Sequence, residues 1–265
     1  MNAITIKGLK VEACHGVLPQ EKTTPQTFLF DINIEADLSL AASTDDLNYT
    51  VNYDEVCKAV TQFCKDNTFN LIEKLAYGAA YLIAEKYEIV SAVEVTVHKP
   101  QAPVNLPFED ISATARVERN KVVLSLGSSS GDKRATLEKA IASLDRTDGV
   151  RVLKISDFVS TEPYGGVAKN TFLNCAITAE CLLSPRALLD KIHEIEAANG
   201  RVRDVRWGDR TLDIDIIFFD NKIIAEEGLC IPHSDYANRQ FVIIPVKQIA
   251  PDFVCPKTLR RMADL

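Results

Sequence analysis

The sequence predicts an α+β chain of two domains, on three observations. Its 265 residues exceed the needs of one ordinary domain, and two is the better prior. Residues 1–119 follow the order strand, strand, helix, helix, strand, strand, judged by two-residue alternation against three-to-four-residue apolar spacing. After Arg119-Asn120-Lys121 the pattern restarts, with strands and helices in an open mixed order that suggests a layered sandwich. No linker rich in Gly, Ser or Pro separates the halves, so domains at 1–119 and 120–265 rest on that restart.

In the first half, residues 4–14 and 28–38 alternate as strands. Val56, Val60 and Phe63 mark a helix over 53–65, and a longer, more apolar helix covers 71–87. Strand alternation returns over 90–98 and 111–117. Asn52 with Glu55, and Asn70 with Glu73, have the spacing of helix capping boxes. The second half opens with a strand at 122–126, a polar turn at 127–132 and a helix to about residue 144. Strands follow at 150–160 and 174–180. Ser184 then caps a helix with Pro185 at its first position, and Gly200 lies just past its end. A strand carrying Asp213 and Asp215, a turn at Asp220-Asn221 and a helix from about Phe241 complete the chain.

The formal charge of −7 arises nearly all before residue 120 and argues against a general polyanion binder. The arginines of the near-neutral second half gather in one segment, which points to a local anion site. The start of the chain lacks the basic, apolar and small-residue sequence of a secretion signal. No apolar stretch approaches membrane-spanning length. The seven cysteines form no Cys-x-x-Cys pair and suit reduced core thiols of a cytoplasmic protein.

The segment Arg201 to Ile217, RVRDVRWGDRTLDIDII, is the richest in chemistry. In an extended strand, alternate side chains leave the same face, so Leu212, Ile214 and Ile216 point into a core while Asp213 and Asp215 project together. Two adjacent carboxylates repel unless a hard divalent cation lies between them, and Mg²⁺ typically takes one or two carboxylates with phosphate and water oxygens. Arg201, Arg203 and Arg210 suit the phosphate, because the guanidinium fork donates bidentate hydrogen bonds and stays ionised.

Together with Ser160-Thr161-Glu162-Pro163-Tyr164-Gly165, Phe172-Leu173-Asn174 and the run Ile231 to Phe241, this segment resembles 6-hydroxymethyl-7,8-dihydropterin pyrophosphokinase over residues 121–265. The resemblance implies a ferredoxin-like α+β domain that transfers the terminal diphosphate of ATP to a hydroxymethyl pterin. By the same resemblance Asp213 and Asp215 hold two Mg²⁺. Arg201, Arg203, Arg210, His233 and Arg239 meet phosphate, with Arg201 and Arg210 acting in the transfer, and Glu196 lies at a position near the nucleotide or makes a surface helix pair. The pterin is expected between Phe172 and Phe241, read by Asn174 and by the segment from Thr161 to Tyr164, under a loop carrying Trp207. Ser129, where the family usually has asparagine, and Phe172, where tyrosine is common, are departures from its pattern.

Four blocks of the first half, Cys14 to Glu21, Val51 to Val56, Asn70 to Ala76 and Val97 to Pro100, resemble dihydroneopterin aldolase over residues 1–119. This implies a tunnelling-fold ββααββ domain that builds homo-oligomers through end-strand pairing. It also implies a retro-aldol cleavage without metal or Schiff base, with the pterin itself as electron sink. Glu21, Tyr53 and Lys99 are the implied proton-handling residues. Glu73, beside Ile72, is the implied anchor for the amino-pyrimidinone edge, since a carboxylate accepts two parallel hydrogen bonds. The expectation is a bifunctional enzyme of folate synthesis acting on pterins and ATP. Two alternatives stand beside it. One is an active pyrophosphokinase with a non-catalytic oligomerisation scaffold; the other, a two-metal nucleic-acid enzyme, is disfavoured by the acidic balance.

Overall fold

The computed structural model describes residues 2–162, 170–200 and 210–265. The chain divides into two compact units, Met1–Arg119 and Asn120–Leu265.

The first unit contains β1 (Asn2–Ala13), β2 (Gln26–Ala36), α1 (Ser39–Thr44), α2 (Tyr53–Asp66), α3 (Ile72–Lys86), β3 (Val90–His98) and β4 (Ser112–Glu118). The four strands form an antiparallel sheet in the order β1-β2-β3-β4. Strict alternation along β2 buries Phe28, Phe30, Ile32 and Ile34, and β3 adds Val93, Val95 and Val97. The covering layer is Val56, Val60 and Cys64 of α2 with Leu75, Ala76, Ala79, Ala80 and Ile83 of α3. Each large aliphatic or phenyl group so buried contributes about 1.5–3 kcal/mol, so the sheet-to-helix layer dominates the stability of this unit. The main elements follow the ββααββ order expected from the sequence. The short α1 is an addition, since six residues are too few for apolar periodicity to register.

The two expected capping boxes differ in outcome. Asn52 accepts hydrogen bonds from the Asp54 and Glu55 amides at 3.1 and 3.4 Å and caps α2. At α3 the cap position falls to Leu71, with no side-chain bond, so Asn70 lies one residue too early to serve. Glu73 is therefore at the second helical position, exposed and uncommitted to any cap.

The second unit contains β5 (Asn120–Ser128), α4 (Lys133–Asp145), β6 (Val150–Ile155), β7 (Val159–Thr161), β8 (Phe172–Cys181), α5 (Pro185–Ala198), β9 (Asp213–Phe219), β10 (Ile224–Glu226), β11 (Leu229–Ile231) and α6 (Gln240–Ile249). Its main sheet runs β6-β8-β5-β9 with β7 also on β8, every pair antiparallel. The strand expected over 150–160 is thus two strands, broken where the Ser156 hydroxyl accepts the Ala176 amide at 2.8 Å and donates to the Asp157 carbonyl. The β10–β11 hairpin was not anticipated, its three-residue strands being too short to show alternation.

One face of this sheet packs Leu124, Leu126, Ile177, Ile214 and Ile216 against Leu137, Leu144, Leu188 and Ile192 of α4 and α5. The other packs Val123, Ala176, Ile217 and Phe218 against Val242, Val246 and Ile249 of α6. Ser184 caps α5 by accepting the Ala187 amide at 3.2 Å, and Gly200 follows with φ of +76°, a left-handed conformation that glycine adopts without strain. No described helix is long and apolar enough to cross a membrane.

Candidate active sites

In the first unit the chemistry gathers where β3 ends. Lys99 follows the last residue of β3, and its amide donates to the Ile111 carbonyl at 2.8 Å. Lys99 is 8% exposed; its ammonium forms an ion pair with Glu21 and donates to the His15 carbonyl at 3.3 Å. It also lies 5.9 Å from the centre of the Phe28 ring. The exposed strand-end fate common for lysine does not apply here.

Glu21, 6% exposed, sits in a single 3-10 turn over Pro19–Lys22, and its second oxygen accepts the Leu18 amide at 2.9 Å. Burial alone would raise its pKa. The hydrogen bond from Lys99, the Leu18 amide, the charge of Lys99 and a bond from Gln26 together outweigh burial and hold it below the ordinary carboxylate range. Gly16 makes room for this carboxylate, because a Cβ there would collide with it and φ is +152°.

The other implied residues of this half are open to solvent. Tyr53 is the first residue of α2 and 64% exposed, while Glu73 is exposed and Ile72 half-buried on the first turn of α3. Of the four implied polar residues the structure brings together Lys99 and Glu21, and a buried, charge-compensated amine is a group able to move protons on a bound polar heterocycle.

In the second unit the strand register carries the geometry. Gly127 of the central strand pairs with Asp213 on one side and Asn174 on the other, and Asn174 pairs in turn with Val159. Directly paired residues share a face. Asp213, Gly127, Asn174, and by two-residue alternation Asp215 and Phe172, therefore all lie on the α6 face of the sheet. Leu212, Ile214 and Ile216 are buried, as their parity requires.

The carboxylates are not bare. Arg210 pairs with Asp213, and Arg239 donates to Asp215 at 3.3 Å and to Asp235 at 3.0 Å. The His233 Nε2 lies 3.9 Å from the same Asp215 oxygen, and its Nδ1 accepts the Asp235 amide at 3.2 Å. Burial, then the neighbouring charge of Asp213, pushes the Asp215 carboxyl above the usual range against the pull of His233, Arg239 and Arg210. Burial lowers the pKa of His233, with Asp215 opposing. Two cofacial carboxylates, one of them held up by its twin, form a hard oxygen donor set that fits a divalent cation with phosphate oxygens.

Beside them, Asn174 is buried and donates to the Thr161 hydroxyl at 2.8 Å. Phe172 and Phe241 are half-buried, and Phe241 also packs on the α6 core, 5.8 Å from the Arg239 guanidinium. Of the two readings of Glu196, the structure removes the surface helix pair. In place of a surface helix pair it is 2% exposed and accepts the Ile214 amide at 2.9 Å, tying α5 to the Asp-x-Asp strand. Arg201, Arg203, Trp207 and Tyr164 lie outside the described residues.

Two residues here have a structural task that the sequence did not assign. Ser129 receives the Arg210 amide on its hydroxyl at 2.8 Å, and its own amide donates to the Arg210 carbonyl at 2.9 Å, so it fixes where that arginine starts. Gly127 leaves open floor between the carboxylate and the carboxamide. Register, which pairs strands far apart in sequence, is the signal for both.

Folds and sites of this kind define a tandem of two α+β enzyme domains, one organised around a buried lysine–glutamate pair and one around paired aspartates with arginines. Residues 4–116 match the family model of dihydroneopterin aldolase, and residues 123–251 match that of 7,8-dihydro-6-hydroxymethylpterin-pyrophosphokinase. The chain is 41% identical over 134 residues to 2-amino-4-hydroxy-6-hydroxymethyldihydropteridine pyrophosphokinase of Methylorubrum extorquens, a match covering 51% of this chain and 85% of that one. It is 43% identical over 126 residues to the bifunctional protein FolKE of Lactococcus lactis (48% of this chain, 36% of that protein). It is also 30% identical over 284 residues to the folic acid synthesis protein FOL1 of Dictyostelium discoideum (97% of this chain). The chain thus spans under half the length of these last two relatives, 36% and 43%. Through its second unit the chain belongs to the hydroxymethyldihydropterin pyrophosphokinase family, and its first unit carries a dihydroneopterin aldolase family domain in tandem.

Proposed function

We propose that this chain is a bifunctional cytoplasmic enzyme of folate synthesis, with 1–119 the aldolase domain and 120–265 the pyrophosphokinase domain, acting in sequence on one pterin. In the first step a base takes the proton of the second side-chain hydroxyl of 7,8-dihydroneopterin. The bond between the first and second side-chain carbons breaks, glycolaldehyde leaves, and the electron pair enters the ring system. Reprotonation of the remaining carbon gives 6-hydroxymethyl-7,8-dihydropterin. Lys99 and Tyr53 handle these protons, with Glu21 orienting the amine or a water, and Glu73 with Ile72 holds the ring. The buried Lys99–Glu21 pair is the observation that carries this half. Exposed Tyr53 and Glu73, with β1 and β4 as free sheet edges, support a homo-oligomer built through this unit.

In the second step the hydroxymethyl oxygen attacks the β-phosphorus of ATP, the bond from that phosphorus to the α–β bridging oxygen breaks, and AMP leaves. Asp213 and Asp215 would hold Mg²⁺, which supplies charge neutralisation and alignment of the triphosphate. Arg210, Arg239 and His233, with Arg201 and Arg203, meet the phosphates, Glu196 backs the metal-bearing strand near the nucleotide, and Phe172, Phe241, Asn174, Thr161, Tyr164 and Trp207 hold the pterin. The cofacial aspartates with two arginines carry this half. The two chemistries are complementary, since the hydroxymethyl group freed in the first unit is the acceptor in the second. Supplying dihydroneopterin with Mg-ATP and following glycolaldehyde and AMP tests the proposal; release of neither by folded protein ends it. Kinase activity on preformed acceptor without any glycolaldehyde release would leave the first unit as a scaffold.

A further inference from the structure

His15 is fully buried, yet the aldolase scheme gives it no task. Its ring lies parallel to Phe69 with centres 5.6 Å apart and edge-on to Phe28 at 5.1 Å. The imidazole Nδ1 accepts the Phe69 amide at 3.1 Å, while the neighbouring Gly16 amide donates to the Phe69 carbonyl at 2.9 Å. Both backbone groups of Phe69 are therefore claimed by the His15-Gly16 turn. The carbonyl of the same histidine accepts from Lys99 at 3.3 Å and from the Gln26 side chain at 3.2 Å. Phe69 stands four residues before Glu73, and the two residues joining Phe69 to α3 are Asn70 and Leu71, the latter at the cap position with a side chain that caps nothing. The entry of α3 is thus fixed by His15 and Gly16 rather than by its own cap.

We propose that His15 is a positioning residue for the aldolase reaction, its neutral imidazole and its carbonyl holding the segment that leads into Glu73 in fixed register with the Lys99–Glu21 pair. The inference rests on the aldolase reading of this unit. An imidazole whose Nδ1 accepts carries its proton on Nε2. Burial, then the charge of Lys99, lowers the His15 pKa to about 4 against a weaker pull from the Cys64 carbonyl, so the accepting form holds across neutral pH. The ring is thereby kept from becoming a cation beside Lys99, and the amide bond to Phe69 survives.

The test uses the full chain and three proteins: wild type, His15→Phe and His15→Asn. Phenylalanine keeps the stacked ring but leaves the Phe69 amide without its acceptor, whereas asparagine places an oxygen close to where Nδ1 was. Steady-state glycolaldehyde release is expected to show KM for dihydroneopterin raised about tenfold in His15→Phe, the scale of one lost hydrogen bond. In His15→Asn it should return to within about twofold of wild type. A purely structural loss would lower kcat through fewer folded molecules and leave KM unchanged, and that pattern overturns the proposal. Equal KM in all three proteins also overturns it. Absence of glycolaldehyde release by the wild type would instead end the aldolase reading itself. AMP release with preformed acceptor, read in parallel, should be the same for all three, and its joint loss in a variant would mark global unfolding, answered by measuring KM on the folded fraction.

Discussion

Gly127→Ala should impair the second reaction through a single methyl group. A Cβ built at Gly127 falls 2.8 Å from the Asn174 Oδ1, where ordinary contact begins at 3.4 Å, so the amide must retreat by the difference, about 0.6 Å. Asn174 has little freedom to do so, being buried and bonded to Thr161 at 2.8 Å. Losing that bond amounts to about 1 kcal/mol and overpacking to about 1–3 kcal/mol. If the displaced carboxamide no longer meets the pterin edge, acceptor affinity falls about 10- to 100-fold. The assay is AMP release against concentration of 6-hydroxymethyl-7,8-dihydropterin at saturating Mg-ATP, with urea unfolding in parallel. An acceptor KM within about twofold of wild type in a folded variant would refute the geometry, because it would mean that Asn174 does not touch the substrate.

Other expectations follow from the same geometry. Asp213→Asn with Asp215→Asn should abolish AMP release at any Mg²⁺ concentration while glycolaldehyde release persists, as followed by product chromatography. Lys99→Ala or Glu73→Ala should do the reverse, losing glycolaldehyde and keeping transfer to preformed acceptor. Because the folded His15 holds a pKa of about 4 where the unfolded chain has about 6.5, the unfolded state binds the extra proton first as pH falls. This contribution to stability is complete above pH 6.5 and is lost on the way down to pH 4, up to about 3 kcal/mol in all. Urea unfolding from pH 7.5 to 4.5 should show the decline, and His15→Asn should flatten it. Glu196→Ala should lower stability by about 1–3 kcal/mol by leaving the buried Ile214 amide without its partner, measured by the shift in urea midpoint.

Much of this architecture was legible in the residues. The alternation of β2 and the spacing along α2 place those elements to within a residue or two, because half-buried strands and amphipathic helices imprint their burial on the sequence, and Ser184, Pro185 and Gly200 bound α5 as closely. Asp213 and Asp215 on one face, with three aliphatic residues on the other, followed from parity alone. Pairing between distant strands did not. That Gly127 lies between Asp213 and Asn174, and that Ser129 grips Arg210, depends on a register spanning about half of the second unit. The burial of Glu196 was hidden for a related reason, since a carboxylate on a polar helix gives no local sign that a strand amide waits beneath it. Lys99 and Glu21, separated in sequence by two strands and three helices, carried no local mark of their burial as a pair.

Arg119, the last residue of the first unit, folds its guanidinium back to the carbonyls of Ala84, Tyr87 and Val90, and its amide donates to the Ser91 carbonyl at 2.8 Å. It is a clasp fastened across the exit of α3, and β5 begins at the very next position. Anyone dissecting the two halves has a cut only one peptide bond wide. Trimming to 118 would take a donor away from four carbonyls, and extending past 120 would trail a core strand of the other half as a sticky tail.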